Sequence, residues 1–213
     1  KAVAEKLVRE ANNPPSLLTV NIAPHQVYGE RDGLFLPNFL DARDKLRIFG
    51  KGQNLASFCY VDNYCHGLIL GYEALHDKPP VLGKFYLITD GPPQNFWHAL
   101  DRAVVKTGGT SLQDKLKLPT PLLYAVAYVM QFFGKLFNFN VRISPFNVTM
   151  LTIDRYFDIS DAEKDLKYKP LKNFDEAWDG TLAWFNKHET YWRACAKSSL
   201  AGGNAGPTQS SSS

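Results

Sequence analysis

An α/β fold with parallel strands is what these 213 residues predict, and three observations carry it. Helix-periodic segments alternate with short β-branched runs along the first hundred residues. The first two segments run helix then strand, the second half of a βαβ unit. With 45% apolar and 21% charged residues, the chain has material for a sizeable core and is neither disordered nor fibrous.

The elements follow in order. Lys1–Ala11 sets Val3, Ala4, Leu7, Val8 and Ala11 on one face and pairs Glu5 with Arg9 across one turn. Asn12-Asn13-Pro14-Pro15 ends that helix. Leu17–Ile22 reads as a buried strand of a parallel sheet. Arg47–Val61 has two β-rich arms around Gly50-Lys51-Gly52 and predicts a hairpin. Asp62–Leu75 is helical, with His66, Leu70 and Ala74 in register. Lys84–Thr89 is a strand and Gln94–Lys106 a helix. Ser160 and Asn173, each with Glu three residues on, read as helix caps; the helix after Asn173 is expected to bury Phe174, Trp178, Leu182 and Phe185. Residues 198–213 are small and polar and read as a disordered tail, which leaves 1–197 as one domain portion.

Residues 118–134 contain no charge. Pro119 and Pro121 mark a helix start, and Leu122–Phe133 is dense in apolar and aromatic residues. Two readings stand: a helix buried in the substrate part of the fold, or a membrane-facing helix bounded by Lys117, Lys135 and Arg142. The stretch is slightly short for a span.

Composition and spacing exclude several classes. A net charge of +3 with scattered basic residues argues against nucleic acid as a partner. Cys59, Cys65 and Cys195 cannot close a disulfide framework and lack metal-ligand spacing, so a reducing compartment is expected. The five histidines show no HxxxH or HxH pattern. No GxGxxG or GxxxxGK[ST] occurs, and Gly50-Lys51-Gly52 leads into a strand pattern, not a helix N-terminus that could hold a phosphate. No GxSxG is present, Cys59 reads as core filler, and Asn147-Val148-Thr149 lacks the secretory context of a glycosylation site. The chain opens in mid-helix without methionine, which gives the expectation of a C-terminal piece of a longer protein.

Three stretches, in order and separation, carry a resemblance. Ile22-Ala23-Pro24-His25-Gln26-Val27-Tyr28-Gly29-Glu30-Arg31-Asp32 resembles the strand-exit segment of extended short-chain dehydrogenases. Asn54–Gly67 (NLASFCYVDNYCHG) is similar to that family's "N…F.YV.N..H". Tyr156–Pro170 (YFDISDAEKDLKYKP) is similar to its "F..SKA.KDLGY.P". The wording around Pro24–Asp32 and the Asn63/His66 pair look most like the 3β-hydroxysteroid dehydrogenase branch, its decarboxylating sterol members nearest. Ala23 and Glu30 depart from the Arg and Pro usual there.

The resemblance implies the C-terminal part of a Rossmann-like doubly wound parallel sheet with a small α/β substrate-binding part. It implies NAD or NADP as cofactor, and oxidation of a sterol or steroid 3β-hydroxyl, with decarboxylation where a 4α-carboxylate is present. Lys1 falls on the lysine of the family's Tyr-x-x-x-Lys motif, where it would lower the phenol's pKa and bond the nicotinamide ribose. Pro24, His25 and Val27 fall where backbone groups meet the nicotinamide carboxamide; Phe58 and Tyr60 are candidate walls of a sterol pocket. The motif tyrosine and the glycine-rich turn would lie ahead of Lys1, so this chain alone is expected to be inactive. Expected partners are the sterol, the membrane through Leu122–Phe133 and a second copy of the chain, at the cytoplasmic face of the endoplasmic reticulum membrane. Rival readings are a nucleotide-sugar epimerase or reductase of the same superfamily, and a non-catalytic cofactor-sensing or scaffold member.

Overall fold

The computed structural model describes residues 2–77, 79–137 and 144–200. In chain order the elements are α1 (Ala2–Glu10), β1 (Asn21–Pro24), β2 (Val27–Tyr28), α2 (Phe35–Asp41), β3 (Leu55–Ala56), β4 (Cys59–Tyr60), α3 (Val61–Asp77), β5 (Phe85–Ile88), β6 (Gln94–Asn95), α4 (Phe96–Lys106), α5 (Thr120–Phe137), α6 (Pro145–Thr152), α7 (Ser160–Asp165), α8 (Phe174–Lys187) and α9 (Glu189–Leu200). They fall into two compact units. The first comprises Lys1–Phe35, Ser57–Pro93 and Tyr156–Phe185; the second comprises Leu36–Ala56, Gln94–Arg155 and Asn186–Ser213.

The first unit is built on parallel pairing. β1 runs beside β5 with Asn21 opposite Phe85 and Pro24 opposite Ile88, and β2 runs beside β4. Parallel neighbours need a crossover, and the connection from β1 to its partner β5 includes α3, which lies between β4 and β5 in the chain. Gly67 and Gly71, one turn apart on α3, let the helix approach the strands closely: a Cβ at Gly67 would stand 2.8 Å from the Ile88 side chain, and one at Gly71 2.9 Å from Ile22. Tyr86, Ile88, Ala162, Leu166 and Tyr168 complete this core.

The expected first strand begins later than its apolar run suggests. Asn13 and Leu17 close a turn by pairing with each other, and Asn12 accepts from the Thr19 amide, so ladder pairing starts at Asn21. α1 forms as expected, with Arg9 3.2 Å from Glu5, but none of its residues is buried. At α7 the cap lies elsewhere than expected: Ser160 is already helical, and Asp158 accepts from both its amide and its hydroxyl. Asn173 caps α8 as read, accepting from the Glu176 amide.

In the second unit the expected hairpin does not form. Gly50 and Gly52 adopt the left-handed turn conformation, but the two arms take other partners. Phe49 bridges to Leu118, while β3 pairs antiparallel with β6. A glycine turn between β-rich runs fixes a reversal, not the identity of the neighbouring strand. Gln94-Asn95, expected inside α4, are the β6 strand, and the Asn95 side chain caps α4 through the His98 amide. α4 buries Phe96, Trp97, Leu100 and Val104. α9 continues to Leu200, three residues into the segment read as tail, because Trp192, Cys195 and Ala196 bury one of its faces; residues 201–213 lie outside the described residues.

α5 rests on α6 through a narrow stripe. Leu123 and Ala127 meet Val148, and Gly134 is the third buried position. Leu122, Val126, Tyr128, Val129, Met130, Phe132, Phe133, Leu136 and Phe137 are all exposed. The fully buried reading of this segment is therefore set aside. Among the described residues no helix is long and apolar enough to cross a membrane. Arg142 lies outside them.

Candidate functional site

β1 ends at Pro24, on the C-terminal edge of a parallel pair, where open α/β sheets receive ligands. Proline fixes the exit direction and offers no N–H. His25 follows, half-buried; its Nδ1 donates to the Ser57 carbonyl at 2.7 Å, and its ring lies 4.9 Å from that of Phe157. The carbonyl can only accept, so Nδ1 carries the proton in this contact. Gln26 turns the chain through a positive φ of 40°. Val27 and Tyr28 then pair with Cys59 and Tyr60, leaving Val27 partly exposed and Tyr28 buried.

Beneath this turn lies a buried polar knot. The Tyr28 hydroxyl donates to one Asp90 oxygen at 2.7 Å; the other accepts from the Tyr60 amide and from Asn63 Nδ2, each at 2.7 Å. Asn63 also accepts from the Leu171 and Lys172 amides and donates to the Lys172 carbonyl. One side chain thus ties the C-terminal segment to the strand ends. Burial pushes the Asp90 carboxyl above its usual range, while its three donors pull the other way.

The aromatic cluster around the knot decides two predicted site residues. Phe58 is 2% exposed and packs on Phe174 and Trp178 at 5.1 and 5.5 Å between centroids. Tyr60 lies 5.7 Å from the Tyr28 ring with the Lys172 ammonium over its face. Both are core residues of the first unit, not walls of an open sterol pocket: aromatic side chains in a strand flanked by helices bury against them. Burial pushes the Tyr60 phenol up to about 12, with Asp62 adding to the effect. Tyr28, Tyr64, Tyr86 and Tyr168 are also pushed upward, chiefly by burial. These phenols serve as hydrogen-bond donors, not as bases near neutral pH.

Pro24, His25 and Val27 therefore come together on one strand end, whereas Phe58 and Tyr60 belong to the packing beneath it. Lys1 lies outside the described residues. No group of three or more metal-ligating side chains occurs among the described residues.

The second unit has its own features. An apolar cleft of about 330 Å³ is lined by Phe39, Leu46, Phe49, Leu118 and Leu123, with Lys45 and Arg47 at its rim. Arg155 lies over the Phe96 ring, 5.7 Å from its centroid. Sequence reading missed both Asp90 and Arg155. Their only signals were a Thr89-Asp90-Gly91 turn closing a strand and a cation placed before the Tyr156-Phe157 pair.

Parallel strands with a helical crossover, and a site residue cluster at their C-terminal edge, define a Rossmann-like α/β protein. A family model described as the 3-beta hydroxysteroid dehydrogenase/isomerase family matches residues 1–120. The chain belongs to that family. It is 31% identical over 194 residues to mouse sterol-4-alpha-carboxylate 3-dehydrogenase, decarboxylating, covering 87% of this chain and 53% of the mouse protein. It is 32% identical over 195 residues to sterol-4-alpha-carboxylate 3-dehydrogenase ERG26, decarboxylating, of Candida albicans (88% and 55%). Among solved structures it resembles a dTDP-glucose 4,6-dehydratase from Streptomyces venezuelae bearing NAD, with a TM-score of 0.60 at 17% identity, covering 92% of this chain and 52% of the dehydratase. That last likeness speaks to fold. The chain spans about half the length of the curated relatives it matches.

Proposed function

We propose that the complete protein is an NAD- or NADP-dependent oxidoreductase of the 3β-hydroxyl of a sterol bearing a 4α-carboxylate, which leaves as carbon dioxide after oxidation. One observation carries this reading. The family match covers the Pro24–Val27 strand end, and relatives matched over nearly nine-tenths of the chain bear that activity in their names.

The nicotinamide, when bound, supplies the acceptor for the hydride leaving carbon 3. Pro24, His25 and Val27 are assigned to its carboxamide end. Lys1 is assigned to the ribose and to a tyrosine four positions ahead of it. An ammonium one turn from a phenol favours the phenolate, which then takes the hydroxyl proton. The resulting ketone lies β to the carboxylate, and the carbon–carbon bond to that carboxylate breaks with its electron pair delocalised onto the ketone oxygen. Residues 1–213 contain no glycine-rich phosphate turn, and no turnover is expected from them alone.

The reading extends to location. About 27 Å long at 1.5 Å per residue, α5 has one buried stripe and an exposed apolar remainder: Tyr128 is 62% exposed, Phe132 65% and Phe137 67%. Lys117 and Lys135 stand exposed near its ends. A helix of this kind suits the plane of a bilayer surface, apolar face inward and lysines at the headgroups; the endoplasmic reticulum membrane is the expected one. Phe132→Ser with Phe137→Ser is expected to abolish flotation with phospholipid vesicles. Concentration-dependent dimers lost with the same pair of changes would instead assign this face to a second copy.

The activity is tested on the complete gene product with a 4α-carboxy-3β-hydroxysterol and each nicotinamide cofactor, following cofactor reduction and carbon dioxide release. Turnover of a nucleotide-sugar in place of the sterol would overturn the reading.

A further inference from the structure

The apolar cleft of about 330 Å³ is built wholly from the second unit. Side chains alternate along the extended stretch Arg47–Phe49. Ile48 is fully buried, whereas Arg47 and Phe49 line the cleft. Leu118 is tied to this stretch by its backbone: it accepts from the Gly50 amide at 2.8 Å and donates to the Ile48 carbonyl at 2.9 Å. Both walls are therefore held in place by the fold. Phe39, Leu46, Phe49 and Leu118 are each only half-buried, so the concavity keeps apolar surface uncovered.

The rim has one sign of charge. Arg47 Nη1 donates to the Asp44 and Leu46 carbonyls at 3.0 and 2.9 Å, which holds the guanidinium at the edge of the cleft. Among the described residues neither Lys45 nor Arg47 has a carboxylate within ion-pair distance. Asp41 and Asp44 are exposed and do not line the cleft. Arg43, one turn of sequence earlier, has Glu189 as partner at 3.6 Å. Lys117, exposed and next to Leu118, adds a third cation.

Apolar walls under a cationic rim match an amphiphile: a hydrocarbon chain inside and an anionic head at the mouth. A guanidinium fork beside an ammonium suits phosphate oxygens. The cleft is also continuous with α5. Leu123 lines the one and belongs to the buried stripe of the other, while Leu122 and Val126 beside it are exposed. A bilayer met by α5 is thus the nearest source of such a chain.

We propose that this cleft takes one acyl chain of an anionic phospholipid, with its phosphate on Lys45 and Arg47, so that the second unit selects anionic bilayers. The inference rests on the bilayer reading of α5 and goes beyond it. The exposed face of α5 accounts for entry into a bilayer, and the cleft for which lipid is held there.

The test uses the complete gene product with two kinds of vesicle: phosphatidylcholine alone, and phosphatidylcholine mixed equally with phosphatidylglycerol. In each, one lipid carries bromine along its acyl chains. Trp97 is fully buried and its ring lies 5.6 Å from that of Phe49, so bromine inside the cleft quenches its fluorescence. Brominated phosphatidylglycerol is expected to quench more than brominated phosphatidylcholine. Ala42→Phe, which adds a ring at an exposed position lining the cleft, should remove that excess with no change of charge. Lys45→Gln with Arg47→Gln should lower the preference for phosphatidylglycerol vesicles about 10- to 30-fold, the range of two cations at an anionic surface. Equal quenching by the two lipids, or an excess that survives Ala42→Phe, would overturn the assignment. So would loss of the excess on adding the 4α-carboxysterol, which would give the cleft to the sterol. In each of these cases flotation that depends on Phe132 and Phe137 would leave the bilayer reading standing. A wild-type protein that floats with neither vesicle would overturn both.

Discussion

The polar knot at Asp90 and the surroundings of α5 and Arg155 answer the same physical demand in opposite ways. In the first, a buried carboxylate is met by three donors, and four aromatic rings, those of Tyr28, Phe58, Phe174 and Trp178, close over it. In the second, the half-buried Arg155 guanidinium has no acid within ion-pair distance among the described residues, and Tyr128, Phe132, Phe133 and Phe137 of one helix stand exposed. Charged and apolar groups are expensive to leave unmatched. Where the chain matches them internally, they hold the fold. Where it leaves apolar groups open, as on α5, the exposed face is the one proposed above to meet a bilayer.

The sharpest way to break this contrast is to remove one phenylalanine from each region. Phe174→Ala takes a buried ring from the aromatic cluster and is expected to cost about 3–5 kcal/mol. Phe132→Ala, on a residue 65% exposed, is expected to fall within about 0.5 kcal/mol of wild type. Denaturant unfolding of the two variants checks this. A comparable loss at Phe132 would mean that the exposed face of α5 is packed within the protein, and the bilayer reading would fall.

Next in size is the knot itself. Asp90→Ala leaves the Tyr28 hydroxyl and the Tyr60 amide without acceptors, while Asn63 keeps its bond to the Lys172 carbonyl. At about 1–3 kcal/mol for each buried donor left unserved, the expected loss for the two is roughly 2–6 kcal/mol. Asp90→Asn should cost less than half of that. Its amide oxygen keeps the acceptor side, and the phenol can turn to accept from its nitrogen. Equal losses in the two variants would show that volume, not hydrogen bonding, is what Asp90 contributes.

The sequence showed the first unit better than the second, and the reason is range. The α3 helix, the β5 strand and the α8 helix with its Asn173 cap are local patterns, and the structure has all three. The strand end at Pro24–Val27 was equally local. The misread elements depend on partners far along the chain. The arms around Gly50-Lys51-Gly52 look self-complementary, yet Phe49 pairs with Leu118, and β3 with β6 nearly forty residues on. Phe58 and Tyr60 were offered as pocket walls because alternation cannot say which face of a strand is covered; Phe174 and Trp178, more than a hundred residues later, cover it. Arg155 was silent for the same reason. Its bridge to Ala56 and its place over the Phe96 ring come from residues far along the chain.

The smallest effect separates the two kinds of carboxylate by the sign of their pH dependence. Asp165 accepts from the Lys84 ammonium at 2.9 Å and the Tyr86 hydroxyl at 2.8 Å, and these bonds hold its pKa below the usual value, the Lys84 bond most of all. A carboxyl with a lowered folded pKa stabilises the protein above its unfolded pKa of about 3.9, and that contribution is lost as pH falls through the folded value. Asp90 has the reverse slope: burial raises its pKa, so its ionisation costs the folded state as pH climbs from about 3.9 through the raised value. Asp165→Asn should therefore flatten the rise of stability with pH through the acid limb, and Asp90→Asn, beside its pH-independent cost, should remove the fall of stability with pH above that limb. Because the Lys84 side chain is 48% exposed, solvent screening keeps the Asp165 effect near the lower end of the ~0.2–1 kcal/mol seen for exposed pairs. Chemical denaturation across the acidic range resolves it. If both substitutions changed the pH slope in the same direction, the division between an internally served buried charge and a surface pair would not hold even within the first unit.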